Sequence, residues 1–272
     1  MSQGMNLLTP NVKEFNLDLV FVHGLGGDST ATWTNENGEF WPKWLANEFP
    51  HVRIWSLGYG AAVSAWQSES MPLADRGLNV LDQFYNDSVG IEKSLAFVTH
   101  SMGGLVAKQV LQQSETMGVT RYESIARNTV GAAYIATPHS GANLANFASF
   151  ASAVLRTNPQ VDGMKKHSAE LRKLHGWFLH YVKRRDLVCR TWCERKEVKP
   201  DVLGLKLPKG MIVVDETSAE PNIPGERAIP LDEDHISICK PASQDHQIYK
   251  GVKKFLEECL SKAKVKNQSQ AN

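Results

Sequence analysis

Short apolar runs alternate along the chain with amphipathic stretches. Apolar runs rich in strand-forming residues occupy 17–24, 52–59, 94–101, 128–138, 210–215 and 227–232. Helical patterns lie between several of these runs, at 41–49, 72–87 and 102–114. Strands that alternate with helices are joined by crossover connections, so this order predicts an α/β fold with a mostly parallel, doubly wound sheet. Runs such as VFV and AFV are continuous because both faces of such a sheet are covered.

The alternation of strand and helix patterns breaks between 141 and 209. We interpret 141–209 as a helical cap insertion in a single domain that spans 1–272. The core of this domain then comprises about 15–140 and 210–262. The polar, basic end of the chain, at about 263–272, is expected to be a disordered tail.

The predicted cap contains a clear amphipathic helix at 167–186. Its apolar face is marked by four residues spaced three or four apart: Leu171, Leu174, Phe178 and Val182. Residues 161–200 hold eleven Lys and Arg against five Asp and Glu. A solvated basic face is the simpler interpretation of this excess. Attraction to an anionic head group is the alternative, and it would make any membrane contact a peripheral one through the basic cap.

Composition narrows the class of protein. The 272 residues are 42% hydrophobic and 22% charged, with a net charge of +1. This balance is typical of a globular domain and gives no general attraction for nucleic acid. No apolar stretch approaches the ~20 residues of a membrane span and no signal-peptide pattern is visible, so we expect a cytoplasmic protein. The four cysteines lack zinc-ligand spacing and are expected to be reduced thiols: Cys189, Cys193, Cys239 and Cys259.

The strongest chemical signal is the sequence LAFVTHSMGGLVAKQVL at 95–111. An apolar strand runs into Ser101 and a helix follows at once, which resembles the nucleophile elbow of α/β-hydrolases. Such a turn holds the serine in a cramped backbone conformation, and the N–H of Met102 at the helix start is a candidate oxyanion donor. Gly103 is needed because a side chain there would collide with the strand side of the turn. The usual pattern has glycine where this chain has Thr99, which suggests a roomier turn.

A glycine-rich loop follows the first buried run, in LVFVHGLGGDSTATW at 19–33. In α/β-hydrolases this loop supplies a second oxyanion donor, which by resemblance is the backbone N–H of Leu25. His23 is then structural rather than a base. The loop lacks the Lys-Ser/Thr ending of a P-loop and the third glycine of a dinucleotide loop, which argues against phosphate binding. His100 and His139, near the elbow, are expected to line the pocket or support loops.

The base and the acid are predicted from chain order, which in α/β-hydrolases is serine, acid, histidine. His235 and His246 lie beyond the run at 210–215. His235 follows the last run, whereas His246 begins an amphipathic helix, so His235 is the expected base. The acid must lie at the carboxyl end of the preceding strand. Asp215 directly follows that run and is favoured, and Glu216 remains open.

Five segments together resemble one α/β-hydrolase family. They are FVHGLGG with Trp33, THSMGGLVAKQVL, TPHSG, VVDETSA and LDEDHISICKP. The chain resembles the serine active site-containing protein family, whose relatives include esterase-like domains at the N-termini of fungal NACHT proteins and, more distantly, GPI inositol-deacylases. The resemblance spans about 17–256, and its most specific part is the H-x-x-I-C-K-P stretch at 235–241.

The resemblance implies a serine hydrolase that acts on carboxylic esters through an acyl-enzyme intermediate. Ser101 would be the nucleophile, His235 the base and Asp215 the acid that orients it. The substrate would be a small-molecule or lipid ester, including phospholipid esters, and no metal or organic cofactor would be required. A module that keeps the fold but only binds a ligand or partner is the alternative function.

Overall fold

A seven-stranded sheet organises the chain, in the order β1-β3-β2-β4-β5-β6-β7. A computed structural model describes residues 3–60, 72–139, 146–147, 149–150, 153, 161–199 and 210–271. The strands are β1 (Gly4–Leu7), β2 (Leu17–Val22), β3 (Val52–Gly58), β4 (Ser94–His100), β5 (Thr129–Ile135), β6 (Val188–Glu194) and β7 (Ala228–Leu231). β1 runs antiparallel to β3, and all other neighbouring strands are parallel. The predicted mostly parallel sheet is confirmed.

Helices cover both faces of the sheet. They are α1 (Pro42–Glu48), α2 (Leu73–Asn86), α3 (Gly103–Thr116), α4 (Thr120–Asn128), α5 (Val161–Arg185), α6 (Glu216–Ala219) and α7 (Gln247–Ala271). Successive residues of β4 point into different layers: Phe97 packs with side chains of α2 to α5, and Val98 packs with those of α1 and α7. Because β2 to β7 run in the same direction, their carboxyl ends share one edge of the sheet, where loops can carry a site.

Most predicted elements are confirmed, but one strand was misplaced. Five of the six apolar runs contain β2, β3, β4, β5 and β7. The run at 210–215 lies outside the sheet, where Met211 forms a single bridge with Val198. The missing strand, β6, lies inside 141–209, so the prediction that this whole range is a cap insertion is wrong. β6 carries Arg190, which is paired with Glu258 at 2.7 Å, and it therefore lacks the continuous apolar run of its neighbours.

The remaining boundaries also change at both ends of the core. β1 joins the edge of the sheet before the predicted core start at 15. The predicted tail at 263–272 is wrong, because α7 continues to Ala271 and Lys266 Nζ donates a hydrogen bond to the Arg127 carbonyl at 2.6 Å. The described residues include no helix long and apolar enough to cross a membrane.

The amphipathic helix predicted for the cap is confirmed as part of α5. Its four apolar positions are buried against the core: Leu171, Leu174, Phe178 and Val182. The rest of the predicted cap falls largely on 141–145, 154–160 and 200–209, which lie outside the described residues.

Candidate active site

Ser101 sits in a tight turn between β4 and α3. Its backbone has φ = 53°, in the left-handed region that residues other than glycine rarely adopt. The Ser101 N–H donates to the Ile135 carbonyl at 2.9 Å, which ties the strained turn to the neighbouring strand. A Cβ added at Gly103 would overlap the carbonyl oxygens of Val22 and His23. The collision expected for a side chain at this position therefore exists, with the end of β2.

Thr99 stands where glycine is usual, and the turn accommodates it. The Thr99 hydroxyl is fully buried and donates to the Ala133 carbonyl at 3.0 Å. On the other side of the turn, Thr137 Oγ1 donates to the Ser101 carbonyl at 3.0 Å. The backbone of Ser101 is thus held at its N–H by β5 and at its carbonyl by the loop that follows β5.

His235 lies beside Ser101 in space although 134 residues separate the two in sequence. His235 Nε2 is 2.9 Å from Ser101 Oγ, and both residues are only 1% exposed. Asp234 Oδ1 accepts hydrogen bonds from the N–H groups of Ile236 and Ser237, which shapes the turn that carries the imidazole. The structure therefore brings together the two residues that the sequence predicted as nucleophile and base.

Glu194 is the carboxylate on the other side of the imidazole. It is the last residue of β6, is 1% exposed, and places Oε1 at 3.1 Å from His235 Nδ1. The same oxygen accepts a hydrogen bond from the Val214 N–H at 2.6 Å. Because a carboxylate can only accept, Nδ1 carries the proton and Nε2 is free to accept from the Ser101 hydroxyl. Glu194, His235 and Ser101 form one continuous relay.

This geometry corrects the position expected for the acid. Asp215 Oδ1 accepts from the Ser218 N–H at 2.8 Å and caps α6, while Glu216 is exposed and lies 3.8 Å from Arg195. The strand before the last one is β6 rather than the run at 210–215, and the carboxylate at its carboxyl end is Glu194. Val, Thr and Trp in the sequence VCRTWCE were the strand signal that could have led to Glu194.

The other histidines near the elbow have supporting contacts. The pKa of His100 lies well below its usual value, mainly because the ring is buried and also because His235 is close to it. The His100 ring is therefore neutral. His100 Nε2 donates to the His235 carbonyl at 2.8 Å and fixes the backbone of the base. The His23 ring stacks on Tyr59 with centroids 4.4 Å apart. His246 pairs instead with Glu233 at 3.2 Å, away from the serine.

The glycine-rich loop closes over the serine. A Cβ added at Gly24 would lie 2.7 Å from the Ser101 Cβ, so only glycine lets the loop approach this closely. Leu25 and Met102, which flank the serine on the two loops, are 8% and 4% exposed. Beside them lies a cavity of about 360 Å³, lined by the loop and by residues that include Phe150, His235 and Lys240. His235 and the glycine-rich loop, which both lie against Ser101, thus form part of the wall of this cavity.

Comparison with known protein families assigns the chain to one of them. A match to the family described as Putative serine esterase (DUF676) covers residues 16–167, more than half of the sequence. The chain belongs to the DUF676 family. The matched region of this DUF676 chain contains the glycine-rich loop and the elbow, whereas Glu194 and His235 lie beyond it.

Named relatives of this DUF676 chain are much longer proteins. Protein SERAC1 of Homo sapiens is 29% identical over 266 residues, which cover 90% of the chain and 39% of the relative. Protein SERAC1 of Danio rerio is 29% identical over an alignment of 289 residues, gaps included, which covers 97% of this chain and 42% of the relative. The chain thus spans about two fifths of the length of these relatives.

Solved structures with a similar backbone share the fold. The Bacillus licheniformis lipase BlEst2 in its mature form has a TM-score of 0.53 at 19% identity, over 88% of this chain and 94% of that one. MenH from S. aureus has a TM-score of 0.50 at 13% identity, over 95% and 99%. The DUF676 chain therefore has the α/β-hydrolase fold, and family and fold together support a hydrolase of the esterase type.

Proposed function

We propose that this DUF676 chain is a serine ester hydrolase with Ser101 as nucleophile, His235 as base and Glu194 as the orienting acid. The observation that carries the proposal is the buried relay, with 3.1 Å between Glu194 and His235 and 2.9 Å between His235 and Ser101. A serine flanked by a base, which is itself oriented by a third group, is the arrangement that activates a hydroxyl for acyl transfer.

The proposed reaction proceeds through an acyl-enzyme. As Ser101 Oγ attacks the carbonyl carbon of the ester, its proton passes to His235 Nε2, and Glu194 stabilises the imidazolium that forms. His235 then gives this proton to the departing alcohol oxygen as the ester C–O bond breaks. Water then attacks the acyl carbon and loses a proton to the same nitrogen. His235 returns this proton to Ser101 Oγ as the bond between the acyl carbon and Oγ breaks, which releases the acid and the free serine.

Two backbone N–H groups are proposed to hold the oxyanion. Met102 follows the nucleophile at the start of α3, where the helix dipole favours negative charge, and Leu25 follows the glycine that lies against Ser101. Donors of this kind typically stabilise the transition state by ~2.7–4 kcal/mol each. Because they are main-chain groups, their placement depends on the glycines at 24 and 103.

The proposal is tested with a fluorophosphonate probe. We expect the wild-type chain to be labelled at Ser101 and Ser101→Ala to remain unlabelled, because an activated serine displaces fluoride from the probe and becomes phosphonylated. Hydrolysis of 4-nitrophenyl esters should disappear in the same variant. Equal labelling of both proteins would remove Ser101 from its role, and a folded wild type without any labelling would favour the ligand-binding alternative.

A lipid ester is a narrower form of the proposal, with the chain in the cytoplasm and peripheral to membranes. It is motivated by the basic end of α5, where Lys183, Arg184 and Arg185 follow one another, although Arg184 and Arg185 both lie near Glu115. We expect the chain to float with anionic vesicles at low salt and to detach at high salt. A failure to float, or a preference for the shortest acyl chains in an ester series, would contradict the lipid substrate but not the esterase.

A further inference from the structure

The I-C-K-P part of the most specific motif contributes nothing to the relay itself, yet its backbone is firmly held. Trp41 Nε1 donates to the Cys239 carbonyl at 2.9 Å, and Asn35 Nδ2 donates to the Pro241 carbonyl at 3.1 Å. Both donors are buried, at 0% and 6% exposure. Lys240 lies between the two anchored carbonyls, and its own N–H donates to the Ser237 carbonyl at 2.8 Å. The fold therefore fixes the backbone from which the Lys240 side chain extends.

Lys240 lines the cavity beside the glycine-rich loop and His235. The other titratable groups of the lining are two histidines and one thiol. The His100 ring is neutral because burial depresses its pKa, and the Cys239 thiol is neutral because burial raises its pKa to about 12. Lys240 is the one lysine or arginine among the described residues that line this cavity.

The carboxylates closest in sequence to the cavity wall are engaged elsewhere. Asp28 Oδ1 accepts from the N–H groups of Thr30 and Ala31, each at 2.7 Å, inside its own loop. Asp234 is used in the same way by the turn at His235. Within the described part of the chain, Lys240 has no ion pair with a carboxylate. An uncompensated cation in a concave site raises the local concentration of anions.

We propose that Lys240 is a specificity residue that binds a carboxylate or phosphate group of the ester attacked by Ser101. The inference rests on the proposed function, since it names the class of substrate for the same site. A lysine ammonium binds such groups as a point charge. The cavity of about 360 Å³ is at the small end for ligand sites, so the anionic group would lie only a few bonds from the scissile ester.

The test uses two matched pairs of chromogenic or fluorogenic esters. One pair places the charge on the acyl side, with mono(4-nitrophenyl) adipate against 4-nitrophenyl hexanoate. The other places it on the alcohol side, with 7-butyryloxycoumarin-3-carboxylate against 7-butyryloxycoumarin. In at least one pair, the anionic-to-neutral ratio of kcat/KM should fall about tenfold from wild type to Lys240→Met, mainly through KM. Lys240→Arg should retain the ratio, and 0.5 M salt should lower it only where the cation is present.

Lys254→Met is the matched control, because Lys254 is exposed, is paired with Glu257 on α7, and is not among the residues that line the cavity. It removes the same charge from the molecule and should leave both ratios unchanged. The inference is overturned if Lys240→Met changes neither ratio, or if Lys254→Met lowers them equally. Fluorophosphonate labelling of Ser101 separates a failure of the specificity proposal from a failure of the proposed hydrolase function. If Ser101 is labelled but the ratio does not depend on Lys240, only the specificity role is refuted. If Ser101 is not labelled, the hydrolase function is refuted.

Discussion

Replacing Glu194 by glutamine tests the assignment of the acid most directly. The substitution keeps the size of the side chain and leaves one oxygen able to accept from Val214 and from His235 Nδ1. It removes the negative charge that faces the imidazolium in the transition state. At the observed 3.1 Å and an effective dielectric constant of about 20, that attraction is on the order of 5 kcal/mol.

Since each 1.36 kcal/mol corresponds to a factor of ten in rate, this attraction sets an upper limit of about 10³-fold to 10⁴-fold on the loss. We therefore expect a loss of about 10³-fold to 10⁴-fold in kcat for 4-nitrophenyl butyrate, in line with the effect of converting the orienting acid of a serine triad to its amide. KM should change little, because the charge acts on the transition state rather than on bound substrate. Thermal unfolding of the variant shows whether the loss reflects chemistry or folding.

Asp215→Asn is the matched control, since it neutralises the acid favoured by sequence order. Asp215 caps α6 and asparagine caps helices about as well, so this variant should keep its stability within about 0.5 kcal/mol and its kcat within a few-fold of wild type. The reasoning fails if Asp215→Asn reduces kcat by orders of magnitude while Glu194→Gln remains close to wild type.

Two further predictions concern packing and charge beneath the site. Gly103→Ala should lower kcat/KM by about 10²-fold or more, because the new methyl group forces β2 and α3 apart. Gly176→Ala is the control and should leave kcat/KM unchanged, because its added Cβ meets nothing within 4 Å. Equal losses of kcat/KM in the two variants would contradict the steric argument. Lys108 is fully buried and its pKa is lowered by burial to about 7, so the folded state holds fewer protons than the unfolded one between pH 7 and 10.5. The contribution of Lys108 to stability should therefore rise with pH across this window, by up to about 1.4 kcal/mol per unit. It is measured as the difference in urea unfolding between wild type and Lys108→Met, and a difference that does not change with pH would refute the assignment.

The buried lysine also shows how α5 is joined to the catalytic core. Lys108 Nζ lies 2.7 Å from His139 Nδ1 and 3.2 Å from His175 Nδ1. These residues belong respectively to α3, to the loop after β5 and to α5. The apolar spacing in 167–186 predicted that α5 packs on the core, but it did not indicate this polar cluster, because a lysine within an amphipathic helix pattern is ordinarily expected at the surface.

The sequence alone determined the features that depend on neighbouring residues. The elbow at Ser101 could be predicted because a strand, a serine and Gly103 follow one another, and because the steric limits of a tight turn are local. The alternating strand and helix patterns predicted the parallel sheet, and chain order within that sheet identified His235. The elbow and the sheet follow from periodicity and backbone sterics, whereas the prediction of His235 also uses the order of the triad residues in α/β-hydrolases.

The tertiary structure decided which carboxylate reaches His235 and which cation lines the cavity. Glu194 meets the imidazole because β6 pairs with β5, and a strand containing Arg190 gives little sign of that pairing in its own sequence. Lys240 lines the cavity because Trp41 and Asn35, distant in sequence, hold the carbonyls on either side of it. Contacts between distant segments depend on how the whole chain packs, and no local pattern of residues encodes them.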